Sequence, residues 1–237
     1  MKLELKKINK AINAISNSID TEQYEEALFG CNIMQKELEK HTELDFSRHL
    51  YFNLAAQLID VGTFLKRTDT VLKGVEILER HSEFYEKEYN VNYYYNLANG
   101  KLSLANNCGY SKEKVTFKNI DFYNDVKNLY WKAYKIIKKE DAQDLYQQNL
   151  INLANTLKQL FRFSEALQFY NIVIKENTIF PQAWLNRTSC LEQFDQLLDH
   201  RTEKMIAEII KGYKFASESL KLGLPITTIQ LIIYLNN

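Results

Sequence analysis

Apolar residues return every three or four positions along almost the whole chain, and that spacing constrains the fold more than any single motif. Leu150, Leu153, Ala154 and Leu157 make one stripe, continued by Leu160 and Phe161. A stripe at i, i+3, i+4 and i+7 lines one face of a helix, whereas a half-buried strand alternates with period two. After Arg162-Phe163-Ser164 comes a second stripe, Ala166, Leu167, Tyr170, Val173 and Ile174. Ser164 has a side chain that commonly opens a helix, and Pro181 suits the first turn of the next one. The segment 149–186 therefore reads helix, turn, helix, turn, helix. Only 7 Gly and 2 Pro occur in 237 residues, which argues against a turn-rich all-β fold and for an all-α chain.

The triplet Asn-Leu-Ala stands at 53–55, 96–98 and 152–154, each time inside a helical stripe. Asn152 and Asn186 are 34 positions apart, which is the tetratricopeptide-repeat period. With Gln147 as repeat position 1, Leu150, Leu153, Ala154, Leu157, Ala166, Tyr170 and Val173 fall on the packing positions of that family. The next unit opens "PQAWLN", with Trp184 and Asn186 in place. The run 146–186 resembles a tetratricopeptide repeat, and looser units extend the resemblance over roughly 20–220. Of these, 24–34 resembles a second helix. The stretch 51–62 resembles a first helix, with Gly62 where the family often has its turn glycine. A late partner follows at 70–81, then a first helix at 93–102 and its partner at 125–137, delayed by an insert at about 106–120. One helix pair cannot bury its own stripe, so neighbouring pairs must stack. The resemblance implies a tetratricopeptide-like helical-hairpin solenoid over 1–222. It would hold about five pairs, near 3–40, 45–86, 90–139, 142–177 and 181–221, with 223–237 as a capping or docking segment.

In that family, repeat positions 6 and 9 face a concave groove. The resemblance therefore implies a partner-binding groove carrying Asn53, Asn96, Asn99, Asn152, Asn155, Asn186 and, on the same run, Lys158. Asparagine there can hydrogen-bond a bound peptide backbone, or simply tie neighbouring helices together. Some members grip a terminal carboxylate with Lys at positions 2 and 5. Here those positions are Gln148 and Ile151, which does not support that clamp. Among 15 Tyr and 13 Phe, the run Tyr93-Tyr94-Tyr95 is the densest, and consecutive helical residues must split between faces. The insert carries Tyr110, Lys112, Lys114, Phe117 and Lys118. This is a small basic-aromatic patch for an acidic partner or nucleic acid, to be weighed against a plain surface loop. At the other end Ile229, Ile232 and Ile233 belong to a nearly all-apolar run that must fold back or dock, on a partner or on a second copy of the chain.

Several function classes find little support. Lys+Arg and Asp+Glu balance at 30 each, so a dedicated nucleic-acid or anionic-membrane surface lacks its basic excess. Cys31, Cys108 and Cys190 are scattered and the four histidines form no ligand motif, so neither metal nor cofactor is expected. There is no glycine-rich phosphate loop and no nucleophile elbow. The start MKLELKKINK lacks the apolar core of a secretory signal, and 226–235 is too short to span a bilayer, so the expected location is the cytoplasm. The run 152–187 is also similar to repeat regions that precede HEPN-type ribonuclease domains in bacterial proteins. That similarity implies a sensing or scaffolding role in a bacterial conflict or phage-defence system. No arginine here has a histidine four to six residues on, so nuclease chemistry does not come with it. The expected function is a non-enzymatic module that binds a protein. The alternative is a helical-repeat protein that contacts nucleic acid or regulates a partner nuclease.

Overall fold

The structure, a computed structural model, describes residues 2–40, 45–107, 117–198 and 203–221. These residues form eleven helices and no strand. They fall into two compact units, Met1–Ile136 and Ile137–Asn237.

The first unit holds α1 (Lys2–Asp20), α2 (Tyr24–Leu38), α3 (Asp45–Phe64), α4 (Thr68–Arg80), α5 (Ser82–Glu88), α6 (Asn90–Asn107) and α7 (Phe117–Ile136). The second holds α8 (Gln143–Gln159), α9 (Phe163–Glu176), α10 (Pro181–Leu198) and α11 (Glu203–Lys221). Helices pair as antiparallel hairpins: α1 with α2, α3 with α4 and α6 with α7 in the first unit, α8 with α9 and α10 with α11 in the second. Within each unit the second helix of one hairpin packs on the first helix of the next, and first helices touch one another. Leu150, Leu153, Ala154, Leu157, Ala166, Tyr170 and Val173 are at most 2% exposed. The apolar stripes of α8 and α9 are thus the core of their hairpin, driven together by burial of apolar surface.

Three hairpins turn in the same way. Glu22, Lys66 and Phe161 all take left-handed backbone, with φ of 60, 56 and 59°. The residue after each, Gln23, Arg67 or Arg162, donates its N–H five residues back, to Ser18, Gly62 or Leu157, at 2.7, 2.8 and 2.9 Å. This arrangement satisfies the orphan carbonyls at a helix C-terminus. The three turn sequences, Thr21-Glu22-Gln23, Leu65-Lys66-Arg67 and Leu160-Phe161-Arg162, have little in common, so the repeat is clearer in the backbone than in the side chains.

Those turns correct several sequence-based placements. Aligning Phe161 with Lys66 sets the triplet at 53–55 one helical turn earlier in α3 than 152–154 lies in α8. Gly62 is not a turn residue. It sits inside α3, where a Cβ would come within 2.7 Å of the Val71 side chain and 2.8 Å of the Val71 backbone N. Its role is to let α3 and α4 approach. Helix α9 opens at Phe163, before Ser164, with Arg162 as the flanking residue and no side-chain cap. Instead Arg162 is held by Glu165, at 2.6 and 2.5 Å. The stretch expected as an insert at 106–120 is shorter, because α6 runs to Asn107 and α7 begins at Phe117. The short α5, seven residues long, carries no apolar stripe that the sequence pattern reveals. Tyr85, fully buried, anchors it by donating its hydroxyl to the Arg48 carbonyl at 2.9 Å.

Candidate functional site

The asparagines divide into two kinds. Asn99 on α6 and Asn155 on α8 are half-buried, and each accepts a 2.6 Å hydrogen bond from a fully buried tyrosine on the partner helix of its own hairpin, Tyr130 and Tyr170 respectively. A buried phenol needs such an acceptor, so these two asparagines join helices as well as facing outward. Burial pushes the Tyr170 hydroxyl well above the ordinary tyrosine range, which keeps it a donor. Asn53 is exposed on α3, while Asn96 and Asn152 are half-buried. Asn186, half-buried on α10, accepts from Gln182 at 3.2 Å, and its amide nitrogen is closed off from solvent without a partner.

In the second unit Lys158 shares this run of α8 with Asn152 and Asn155. It stands one turn beyond Asn155 on α8, in the last turn, where a cation complements the negative end of the helix. Its stem is largely surrounded and its ammonium donates to the Ser189 hydroxyl at 3.3 Å. Ser189 lies one turn beyond Asn186 on α10, so that bond draws Asn155, Lys158, Asn186 and Ser189 into one patch. Burial holds the Lys158 ammonium below the usual lysine range, opposed by the nearby Cys190. The Asn155 and Asn186 carbonyl oxygens are both occupied and the Asn186 amide nitrogen is shut away from solvent, so the donors the patch offers are the Asn155 amide, the Ser189 hydroxyl and an ammonium with hydrogen-bonding capacity to spare. Such a surface suits a carbonyl or carboxylate. The sequence pattern did not single out Ser189, Tyr130 or Tyr170 as part of this arrangement. The pairing of a groove asparagine with a second-helix tyrosine, present twice, was the available signal.

Tyr110, Lys112 and Lys114 of the insert lie outside the described residues, as do Ile229, Ile232 and Ile233. Phe117 and Lys118 open α7, with backbone alone described. Of the tyrosine run, Tyr93 is in the core, Tyr94 has the Lys132 ammonium 4.9 Å from its ring centre, and Tyr95 meets Tyr130 edge-on. Burial pushes the Cys31 thiol up to about 12 and the Cys190 thiol up to about 11, so both stay protonated and weakly nucleophilic near neutrality. Among the described residues no group of three or more His, Cys, Asp or Glu could hold a metal ion, and no helix is long and apolar enough to cross a membrane.

The fold and this patch define an all-α protein built from packed helical hairpins. No family model matches the chain, and a search of the curated proteins finds no match either.

Proposed function

We propose that the chain is a non-catalytic protein-interaction module of tetratricopeptide-like solenoid type, which receives an extended segment of a partner protein on the first helices of its hairpins. The observation that carries this reading is the donor-lined patch of the second unit. Its asparagine oxygens are occupied within the chain, while the Lys158 ammonium is held by a single hydroxyl. A partner's backbone carbonyls or carboxylates complete that hydrogen bonding, because an ammonium drawn out of water gains most from an acceptor that restores what it lost. The shared turns at Glu22, Lys66 and Phe161 support the repeat reading.

Capture from a lysate of the native host, with Lys158→Glu beside the parent, tests the proposal. The expected result is a protein retained by the parent and lost from the variant, with the circular dichroism of the two unchanged. Equal retention by both, or none by either, overturns it.

A further inference from the structure

In the first unit, Asp60, Phe64 and Tyr24 make a constellation that the donor patch does not use. Asp60 and Phe64 stand four residues apart on α3, hence on one face. Both are exposed, Phe64 to 56%. The Tyr24 ring at the start of α2 stacks on Phe64, with ring centres 4.4 Å apart and planes 12° from parallel. Tyr24 also feels the charges of Glu22 and Asp60. Arg67, three residues beyond Phe64, is already committed to Glu25 at 2.9 Å. Asp60 itself has neither an ion pair nor a hydrogen bond among the described residues. An uncompensated carboxylate thus stands beside an aromatic stack that presents an open ring to solvent.

We propose that Asp60, Phe64 and Tyr24 form a seat for an arginine side chain of a partner protein. A guanidinium is planar, so it can continue the Tyr24–Phe64 stack while its N–H fork meets the Asp60 carboxylate. A lysine ammonium supplies the charge without the plane. The occupant follows from charge and shape: acceptor oxygens and negative charge from Asp60 and Glu22, and an apolar face beside them. The inference rests on the interaction-module reading only in assuming that the partner is a protein.

The test uses the full-length chain and a capped peptide, acetyl-Gly-Gly-Arg-Gly-Gly-amide, beside its citrulline and lysine counterparts. Binding is followed by nuclear magnetic resonance at the Tyr24 and Phe64 rings and the Asp60 carboxyl. The arginine peptide shifts all three saturably and binds on the order of fivefold tighter than the citrulline peptide, the scale of an exposed ion pair. Asp60→Asn removes that preference, and Phe64→Ala weakens the arginine and citrulline peptides alike. Both substitutions are at exposed positions, and circular dichroism checks that the fold persists. Lowering the pH from about 7.5 to about 5 weakens arginine binding in the parent and not in Asp60→Asn, because the carboxyl protonates. The other groups facing this spot are Glu22, Tyr24, Cys31 and the Glu25–Arg67 pair. Equal binding of arginine and citrulline overturns the seat, and equal binding of arginine and lysine overturns the arginine assignment. Either failure leaves Lys158-dependent capture untouched, so the two proposals fail separately.

Discussion

Two buried tyrosines show how single atoms tie the hairpins. Tyr170→Phe removes the donor to Asn155 and is expected to destabilise the chain by about 1 kcal/mol, the net value of one hydrogen bond. Asn155→Ala strands a buried hydroxyl and should cost about 1–3 kcal/mol. Urea midpoints measure both, and an order reversed between the two variants would contradict the assignment of donor and acceptor. Asp60 acts through charge instead. Its surface is open to water while protein atoms surround it on the remaining sides, and that partial desolvation raises its carboxyl from 3.8 to about 6. Water screens part of this effect, so the direction carries the argument. A carboxyl raised on folding binds protons more readily in the folded state, so its ionisation opposes folding above about 6, and that opposition fades as pH falls from about 6 toward 3.8. Asp60→Asn should therefore be more stable than the parent near neutrality, with most of that difference gone near pH 4 and all of it below about 3. Equal stability at both pH values would show that the shift is absent.

At the scale of the element, helix contacts reverse the usual effect of glycine. Replacing an exposed mid-helix Gly by Ala gains about 1 kcal/mol. Gly74 on α4 is different: a Cβ there would lie 2.7 Å from the Ala55 carbonyl oxygen and 2.8 Å from the Ile59 side chain. Gly74→Ala is expected to lose about 1–3 kcal/mol through overpacking, read as a lowered melting temperature. Lys66, in contrast, holds left-handed backbone on the surface, a conformation that costs an L-residue about 1–2 kcal/mol. Lys66→Gly should be neutral or stabilising at the same readout. These elements also show how much was legible from sequence. The helices and their pairing were, because the stripes from Leu150 to Ile174 record which face is buried. The turn register in α3 was not, since the same left-handed turn is made by Glu22, Lys66 and Phe161, none of which advertises positive φ. Helix α5 was hidden because seven residues give too few turns for a stripe, and its anchor is one tyrosine. The candidate site was only half visible. The asparagines stood out by recurrence, but their tyrosine donors, and the bond from Lys158 to Ser189, depend on which helices pack together.

Charge decides the question that belongs to the whole molecule. Thirty cations face thirty anions in the chain, and in the described residues they interleave. Lys101 pairs with Glu79 at 2.7 Å, Lys139 with Glu176 at 2.8 Å, and Arg187 with Glu208 at 3.1 Å. Pairs of this kind add little stability each, but they remove cations from the supply that a phosphate backbone would use. Non-specific nucleic-acid binding depends on several uncommitted Lys or Arg neutralising phosphates and releasing counterions, which makes it steeply salt-dependent. Neither the balance nor the pairing provides that. A labelled single-stranded RNA and a labelled DNA duplex, each titrated with the full chain, should show no saturable rise in anisotropy at about 0.15 M salt. Lowering the salt to about 0.05 M should produce at most weak binding. Saturable binding that loses orders of magnitude in affinity between those two salt concentrations would overturn the protein-partner reading in favour of a nucleic-acid surface. The lysines of the insert, Lys112, Lys114 and Lys118, would then be the first positions to neutralise. A flat titration leaves standing the two protein-binding surfaces proposed above, of opposite chemistry: the donor patch around Lys158 and the acidic aromatic face at Asp60.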